Sequence, residues 1–212
     1  MQLYKNYIKR PMDFIVATVT LIVLSPVLIG TAILVRINLG SPILFKQERP
    51  GCHEEIFTLY KFRTMTNERD AEGHLLPNSK RLTKFGRFLR STSLDELPEL
   101  MNIIKGDMSI IGPRPLAVEY LPYYTDEERM RHSVKPGLSG LAQINGRNTA
   151  SWEQRFQDDL NYIANITFFH DVKIMMKTLV KVMKRADVGE AGVDTPMDFD
   201  QYRKEKQKAS LS

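Results

Sequence analysis

The sequence predicts an α+β chain, mainly helical, organised around an apolar N-terminal helix that is broken at Ser25-Pro26. Three observations predict it. Phe14 to Val35 is a run of 22 residues without a charge, and about 20 such residues cross a hydrocarbon core. Apolar residues recur at helical spacing among basic ones in 82–92 and 170–186. Two short runs rich in β-branched and aromatic residues, 42–48 and 56–62, flank the turn signal Pro50-Gly51.

Residues 1–12 are a basic, aromatic lead-in (Tyr4, Lys5, Tyr7, Lys9, Arg10) of the kind that anchors at a membrane interface. Within the apolar run Pro26 lacks an N–H, so the carbonyl of Ile22 loses its helical partner, and the proline ring presses on the same turn. A freed carbonyl in lipid is costly unless another group satisfies it. The Ser25 hydroxyl is a local candidate. Basic residues stand on both sides, Lys5, Lys9 and Arg10 before the run and Arg36, Lys46 and Arg49 after it. The positive-inside rule therefore does not choose between a kinked crossing and a helix–break–helix that returns to the same leaflet. A signal peptide fits less well, because the run exceeds an h-region of about 7–15 residues and no small-x-small site follows before Arg36. Gly40 is a stop.

The runs 42–48 and 56–62 read as a β-hairpin. Alternation puts Phe57, Leu59 and Lys61 on one face of the second strand, and Thr58, Tyr60 and Phe62 on the other. Residues 66–80 read as a solvated loop. The segment 82–92 is basic and amphipathic, suited to a membrane interface, although a surface helix of a soluble core has the same pattern. Ser93 with Glu96 three residues on matches a capping box, while Pro98 alternatively marks the first turn of a helix that starts later. Either way Asp95 and Glu96 lie at or near a helix N-terminus, and Gly106 closes that helix. Residues 109–115 form a short apolar stretch ending in a stiff loop. Residues 116–132 read as helical with an interruption at Pro122, and 133–150 as a long loop rich in Gly, Ser and Asn. A helix capped by Ser151 covers 151–163. The basic amphipathic helix 170–186 suits a membrane surface and a soluble core with a lysine rim equally well.

The 212 residues divide into a membrane segment with its lead-in (1–40), a compact domain (41–187) and a polar C-terminal tail (188–212). The net charge is +5 and the pI about 9.2. Beside an apolar anchor, that excess suits anionic lipid or phosphate-bearing ligands. Nucleic acid is not expected, since zinc-finger spacing and basic runs of five are absent. The single cysteine, Cys52, excludes an intrachain disulfide and suits a reducing compartment. P-loop, GxGxxG, CxxC, HExxH and nucleophile-elbow patterns are absent too.

Three features point to phosphate chemistry. Asp95-Glu96 is a paired carboxylate, able to hold Mg²⁺ together with phosphate oxygens or to attack phosphorus. Gly112-Pro113-Arg114-Pro115 fixes a guanidinium in a rigid loop, ready for bidentate phosphate contact. The 135–149 loop offers Lys135, Arg147 and backbone N–H groups able to cradle an anion. The bland readings are a helix cap, a rigid turn and a surface loop.

The motifs SLDELPEL, KGDMSIIGPRP, YKFRTM and KPGLSGLAQINGRN, with the Ser-Pro break, together resemble the small monotopic phosphoglycosyl transferases, the PglC-like bacterial sugar transferases. The resemblance runs from the N-terminal helix to about residue 187. It implies transfer of a phosphosugar from a UDP-sugar to a polyprenyl phosphate, usually undecaprenyl phosphate, with release of UMP. That is the first membrane step of bacterial glycoconjugate assembly, ahead of downstream glycosyltransferases. It also implies a re-entrant membrane helix at Ser25-Pro26, inner-membrane lipid around it, and a catalytic domain on the cytoplasmic face. By the same resemblance Asp95 is the covalent nucleophile and Glu96 helps bind Mg²⁺. Lys61, Arg90, Arg114 and Arg147 recognise phosphate, and Asp171 matches an acidic position grouped with them. A non-catalytic lipid-binding module and a membrane-bound hydrolase of nucleotide sugars are the competing classes.

Overall fold

A computed structural model of the chain describes residues 2–146, 150–184 and 197–211. It is mostly helical, with a small antiparallel hairpin and a second, parallel pair of short strands.

A π-helical turn, Tyr4–Ile8, runs into α1 (Lys9–Val23), and α2 (Ser25–Leu39) follows after Leu24. The two arms meet at 64°. The break has its expected cause: Pro26 occupies the first turn of α2, and the Ser25 hydroxyl donates to the Ile22 carbonyl at 2.7 Å. Among the described residues no single helix is long and apolar enough to cross a membrane, but this bent pair meets that test jointly. Ile22, Val23, Ile29, Ile33 and Ile37 are bare on its surface. Each gives up about 1.5–3 kcal/mol by remaining in water. α2 ends at Gly40, in the left-handed region at φ 77°.

β1 (Leu44–Pro50) pairs antiparallel with β2 (Ile56–Phe62), Leu44 opposite Phe62 and Pro50 opposite Ile56. The predicted alternation holds, and both faces of β2 are covered. Leu59 packs with Ala17, Leu100 and Ile103, whereas Phe62 packs with Val35 and Leu89. The loop after β2 ends in a single helical turn, α3 (Asn78–Arg81). α4 (Lys84–Ser91) is capped by Thr83, whose hydroxyl accepts from the Gly86 N–H at 2.9 Å. A Cβ on Gly86 would lie 1.8 Å from the Thr64 carbonyl oxygen, so only glycine lets α4 rest on the backbone that leaves β2.

The capping box expected at Ser93 and Glu96 does not form. Ser93 is left-handed (φ 55°) and its side chain caps nothing, because a capping residue needs extended backbone. Leu94–Glu96 make one tight 3₁₀ turn, and α5 (Glu99–Lys105) starts after Pro98 and ends at left-handed Gly106. The alternative start at Pro98 is the one adopted.

β3 (Ser109–Ile111) lies in the apolar stretch before the Pro-Arg-Pro loop. The helix expected over 116–132 is mainly 3₁₀, over Val118–Tyr123 and Met130–Ser133. Between them the one-turn α6 (Asp126–Arg129) is closed by a capping box of Thr125 and Glu128. The segment 133–150 is not simply a loop. β4 (Gly137–Ser139) pairs parallel with β3, and α7 (Leu141–Asn145) follows. The approach is close enough that a Cβ on Gly137 would fall 2.1 Å from the Gly112 nitrogen.

α8 (Trp152–Ala164) is capped by Ser151 as expected, and α9 (Phe168–Lys184) carries Phe169, Met176, Leu179 and Met183 exposed between its lysines. The stretch expected as a polar tail contains a further helix, α10 (Phe199–Leu211). Phe199 is fully buried among Tyr120, Tyr124, Trp152 and Phe156. Arg203 pairs with Glu128 from the same helix. One buried aromatic side chain thus seats a helix whose composition is otherwise polar.

The N-terminal arm is joined to this domain through its polar face. Asp13 accepts from the Ser109 hydroxyl at 2.6 Å and from the Ile110 N–H at 3.3 Å. Arg10 donates to the carbonyls of Ile103 and Ile104 at 2.6 and 2.9 Å, satisfying the last turn of α5.

Candidate active site

Four segments converge on Asp95 and Glu96. β2 delivers Lys61 near its end, the 3₁₀ turn holds the two acids, α5 opens with Glu99, and the stiff loop after β3 presents Arg114. The Lys61 ammonium donates to Glu96 Oε1 at 2.7 Å and lies 3.1 Å from Glu99 Oε1. Arg114 donates to the same Glu96 oxygen at 2.6 Å. Asp95 is 8% exposed, and its Oδ1 is buried without a hydrogen-bond partner. Ser93, two residues earlier, is one of only three non-glycine residues among those described with positive φ. Backbone strain of this kind concentrates at functional sites.

The charges are unevenly stabilised. Burial pushes the Glu96 carboxyl up, but Arg114 and Lys61, by charge and hydrogen bond, hold it well below the usual carboxylate range. For Asp95 burial and then the Glu96 charge dominate. Its carboxyl lies above the ordinary value despite Lys61, Arg90 and Arg114. Burial, with Glu96 next, pushes Glu99 up to about 7. The site therefore contains one firmly neutralised carboxylate, Glu96, and one poorly stabilised carboxylate with a bare oxygen, Asp95. Less of the Asp95 charge is met by partners than of the Glu96 charge.

One cavity takes in Asp95, Glu96, Lys61, Arg90 and Arg114. Arg90 reaches it from α4, with its Nε donating to Thr64 Oγ1 at 3.1 Å. Val16, Leu24 and Val27 of the bent helices and Leu179 and Val182 of α9 line other parts of it. Polar chemistry and apolar wall share one space.

Other expected site residues stand elsewhere. Asp171 does not line the cavity. It is buried, accepting from Tyr4 at 2.7 Å, Lys9 at 2.6 Å and Tyr162 at 2.8 Å, and it ties the N-terminal arm to α8 and α9. Ser25 and Pro26 form the bend, and their neighbours Leu24 and Val27 face the cavity. Arg147 lies outside the described residues. Glu99, 2% exposed and paired with Lys61, was not anticipated. Its signal was its place, three and four residues after Glu96 and Asp95, hidden by the proline between them.

The site bears on Mg²⁺ through its donor chemistry. Carboxylate oxygens suit the ion, but among the described residues no three His, Cys, Asp or Glu side chains converge as a complete cage. Asp95 and Glu96 fit it as the partial shell that Mg²⁺ usually takes from protein, with phosphate oxygens completing it.

Comparison with known proteins places the chain in context. A family model described as bacterial sugar transferase matches residues 4–185. The uncharacterised sugar transferase EpsL of Bacillus subtilis is 53% identical over 176 residues, covering 83% of this chain and 87% of EpsL. An undecaprenyl-phosphate galactose phosphotransferase of Salmonella typhimurium is 36% identical over 197 residues, covering 85% of this chain and 41% of its own length. A UDP-glucose:undecaprenyl-phosphate glucose-1-phosphate transferase of Escherichia coli is 40% identical over 184 residues, covering 82% and 40%. The chain thus spans about two fifths of the two longer relatives.

Proposed function

The chain belongs to the bacterial sugar transferase family, and on that premise we propose that it transfers a sugar phosphate from a UDP-sugar to undecaprenyl phosphate or a similar polyprenyl phosphate. The observation that carries the reading is Asp95: a buried carboxylate with an unpartnered oxygen, beside cations, in a cavity whose other wall comes from an apolar bent helix pair.

In the first step an Asp95 carboxylate oxygen bonds to the phosphorus that carries the sugar. The bond from that phosphorus to the bridging oxygen breaks, and the electron pair leaves on UMP. In the second step an oxygen of the polyprenyl phosphate attacks the same phosphorus, and the Asp95 carboxylate departs with its electron pair. One phosphoryl bond forms and one breaks each time. Lys61 and Arg114 place positive charge where the donor's phosphates must lie, in a site that is already organised. Glu96 keeps those cations in position. Mg²⁺, held by Asp95 and Glu96, would supply further neutralisation of the leaving phosphate.

The bent pair is the anchor in this reading. It dips into the inner membrane from the cytoplasmic side and returns, so that the catalytic cavity faces headgroups. A polyprenyl chain entering along Val16, Leu24 and Val27 never has to leave the bilayer. The product passes to glycosyltransferases that extend the lipid-linked sugar.

The test is UMP release from a panel of UDP-sugars with Mg²⁺, with and without undecaprenyl phosphate. Release that requires the lipid and favours one sugar is expected. Sustained release without lipid would mean hydrolysis, and silence on every donor, with binding to anionic vesicles retained, would mean a lipid-binding module.

A further inference from the structure

Two arginines in the cavity wall, Arg49 and Arg155, form no direct ion pair among the described residues, although Glu119 and Glu99 attract the first and Asp159 the second. Arg49, on β1, donates to Gln47 Oε1 at 2.7 Å, and its Nε is buried without a partner. Arg155, on α8, donates from Nε to the Ala150 carbonyl at 3.1 Å, and one terminal nitrogen is buried without a partner. Asp159, which attracts Arg155, is already bound by Arg131 at 2.8 and 3.1 Å. Both side chains stand near Arg114: burial, and next the Arg114 charge, push each guanidinium down.

Gathering desolvated like charges is costly unless an anion completes the set. Lys61 and Arg114 are already engaged by Glu96. Arg49 and Arg155 are not so engaged, and they keep unsatisfied donors for a ligand. Their surroundings are aromatic and polar. The Arg155 guanidinium lies 4.7 Å over the ring of Trp152. The isoprenoid-compatible wall is formed by other residues, from α1, α2 and α9.

We propose that Arg49 and Arg155 form the seat of the donor's nucleoside monophosphate half, gripping the phosphate that leaves while Asp95 takes the sugar-bearing one. This rests on the transferase reading above. The two phosphates of a diphosphate are one bridging oxygen apart. Arg114, whose charge bears on both arginines and which binds Glu96 next to Asp95, connects the two ends of this site. A guanidinium fork suits a phosphate that must be held through bond cleavage and then released whole.

Trp152 is the only tryptophan in the chain, so its fluorescence reports an anion arriving at Arg155. The experiment is equilibrium binding of UMP to the full chain in detergent micelles, by Trp152 fluorescence and by calorimetry. Arg49→Gln and Arg155→Gln are each expected to weaken UMP binding about ten- to hundredfold. Arg155→Lys keeps the charge without the fork and should fall between. Lys177→Gln, which removes an exposed charge from α9, should bind UMP as wild type does. Wild-type UMP affinity in the Arg49 and Arg155 variants overturns the assignment, as does a defect confined to the KM for polyprenyl phosphate. A wild-type chain that transfers sugar phosphate alongside such variants leaves the transferase reading standing. A wild-type chain that neither binds UMP nor transfers overturns both.

Discussion

Arg114 donates to the Glu96 carboxylate at 2.6 Å across 18 residues of sequence, and this bond joins the loop after β3 to the turn that carries Asp95. Lys61 shares the same oxygen. Replacing Arg114 by Gln leaves Glu96 with one cation and removes charge from the phosphate site. Transfer should fall by about 10²–10³-fold, the size of loss seen when one preorganised donor is removed. Arg114→Lys should recover only part of it, since an ammonium lacks the planar fork. Steady-state UMP release measures both.

Asp95→Asn should reduce transfer by at least about 10³-fold while the melting temperature in detergent changes little. With UDP-sugar alone, the wild-type peptide containing Asp95 should gain the mass of a phosphosugar. A fully active Asp95→Asn enzyme would remove Asp95 from the nucleophile's role.

Glu99 gives a pH signature. Its carboxyl is pushed up to about 7 by burial and by Glu96. The folded chain therefore holds a proton there that the unfolded chain releases near pH 4.5. Stability from this group is greatest below the unfolded value and declines as pH rises from about 4.5 to about 7. Glu99→Gln should flatten that part of the profile. The difference between wild type and variant should change across this window and level off above it, read as unfolding midpoint against pH.

The anchor can be tested by labelling. With Cys52 replaced by Ser, cysteines introduced singly at positions 3 and 45 should react from the same side of the membrane. Labelling from opposite sides would establish a crossing. Ser25→Ala removes the bond to the Ile22 carbonyl and should lower the melting temperature by the loss of about 1 kcal/mol.

Local chemistry in the sequence accounted for the parts of the fold that local chemistry decides. Pro26 must break a helix and Ser25 is in reach of the freed carbonyl, so the bend was legible. So were the hairpin around Pro50-Gly51, the Ser151 cap and the stop at Gly106. β3 and β4 were not, because each is only three residues long and exists through its partner 28 positions away in sequence. α10 escaped notice because burial of Phe199 depends on an aromatic nest assembled from 120–156. In the site, Asp95, Glu96, Lys61, Arg90 and Arg114 line one cavity. Asp171 is instead a buried brace, since an acidic motif position does not reveal that two tyrosines and a lysine surround it. Arg49 and Arg155 gave no motif, and their interest lies in partners they lack.

On the transferase reading proposed above, the polar bonds along the N-terminal arm would determine how the molecule meets its lipid. Tyr4 and Lys9 are fastened to Asp171, Arg10 to the end of α5, and Asp13 to Ser109. A catalytic domain on a slack leash would sweep a volume of cytoplasm and find the bilayer only part of the time. Here these bonds fix the distance between the bent helix pair and Asp95 within the fold. In a bilayer the search for the lipid then becomes lateral, two-dimensional diffusion at constant depth. Trimming the first 40 residues to obtain a soluble enzyme would remove a wall of the catalytic domain along with the anchor.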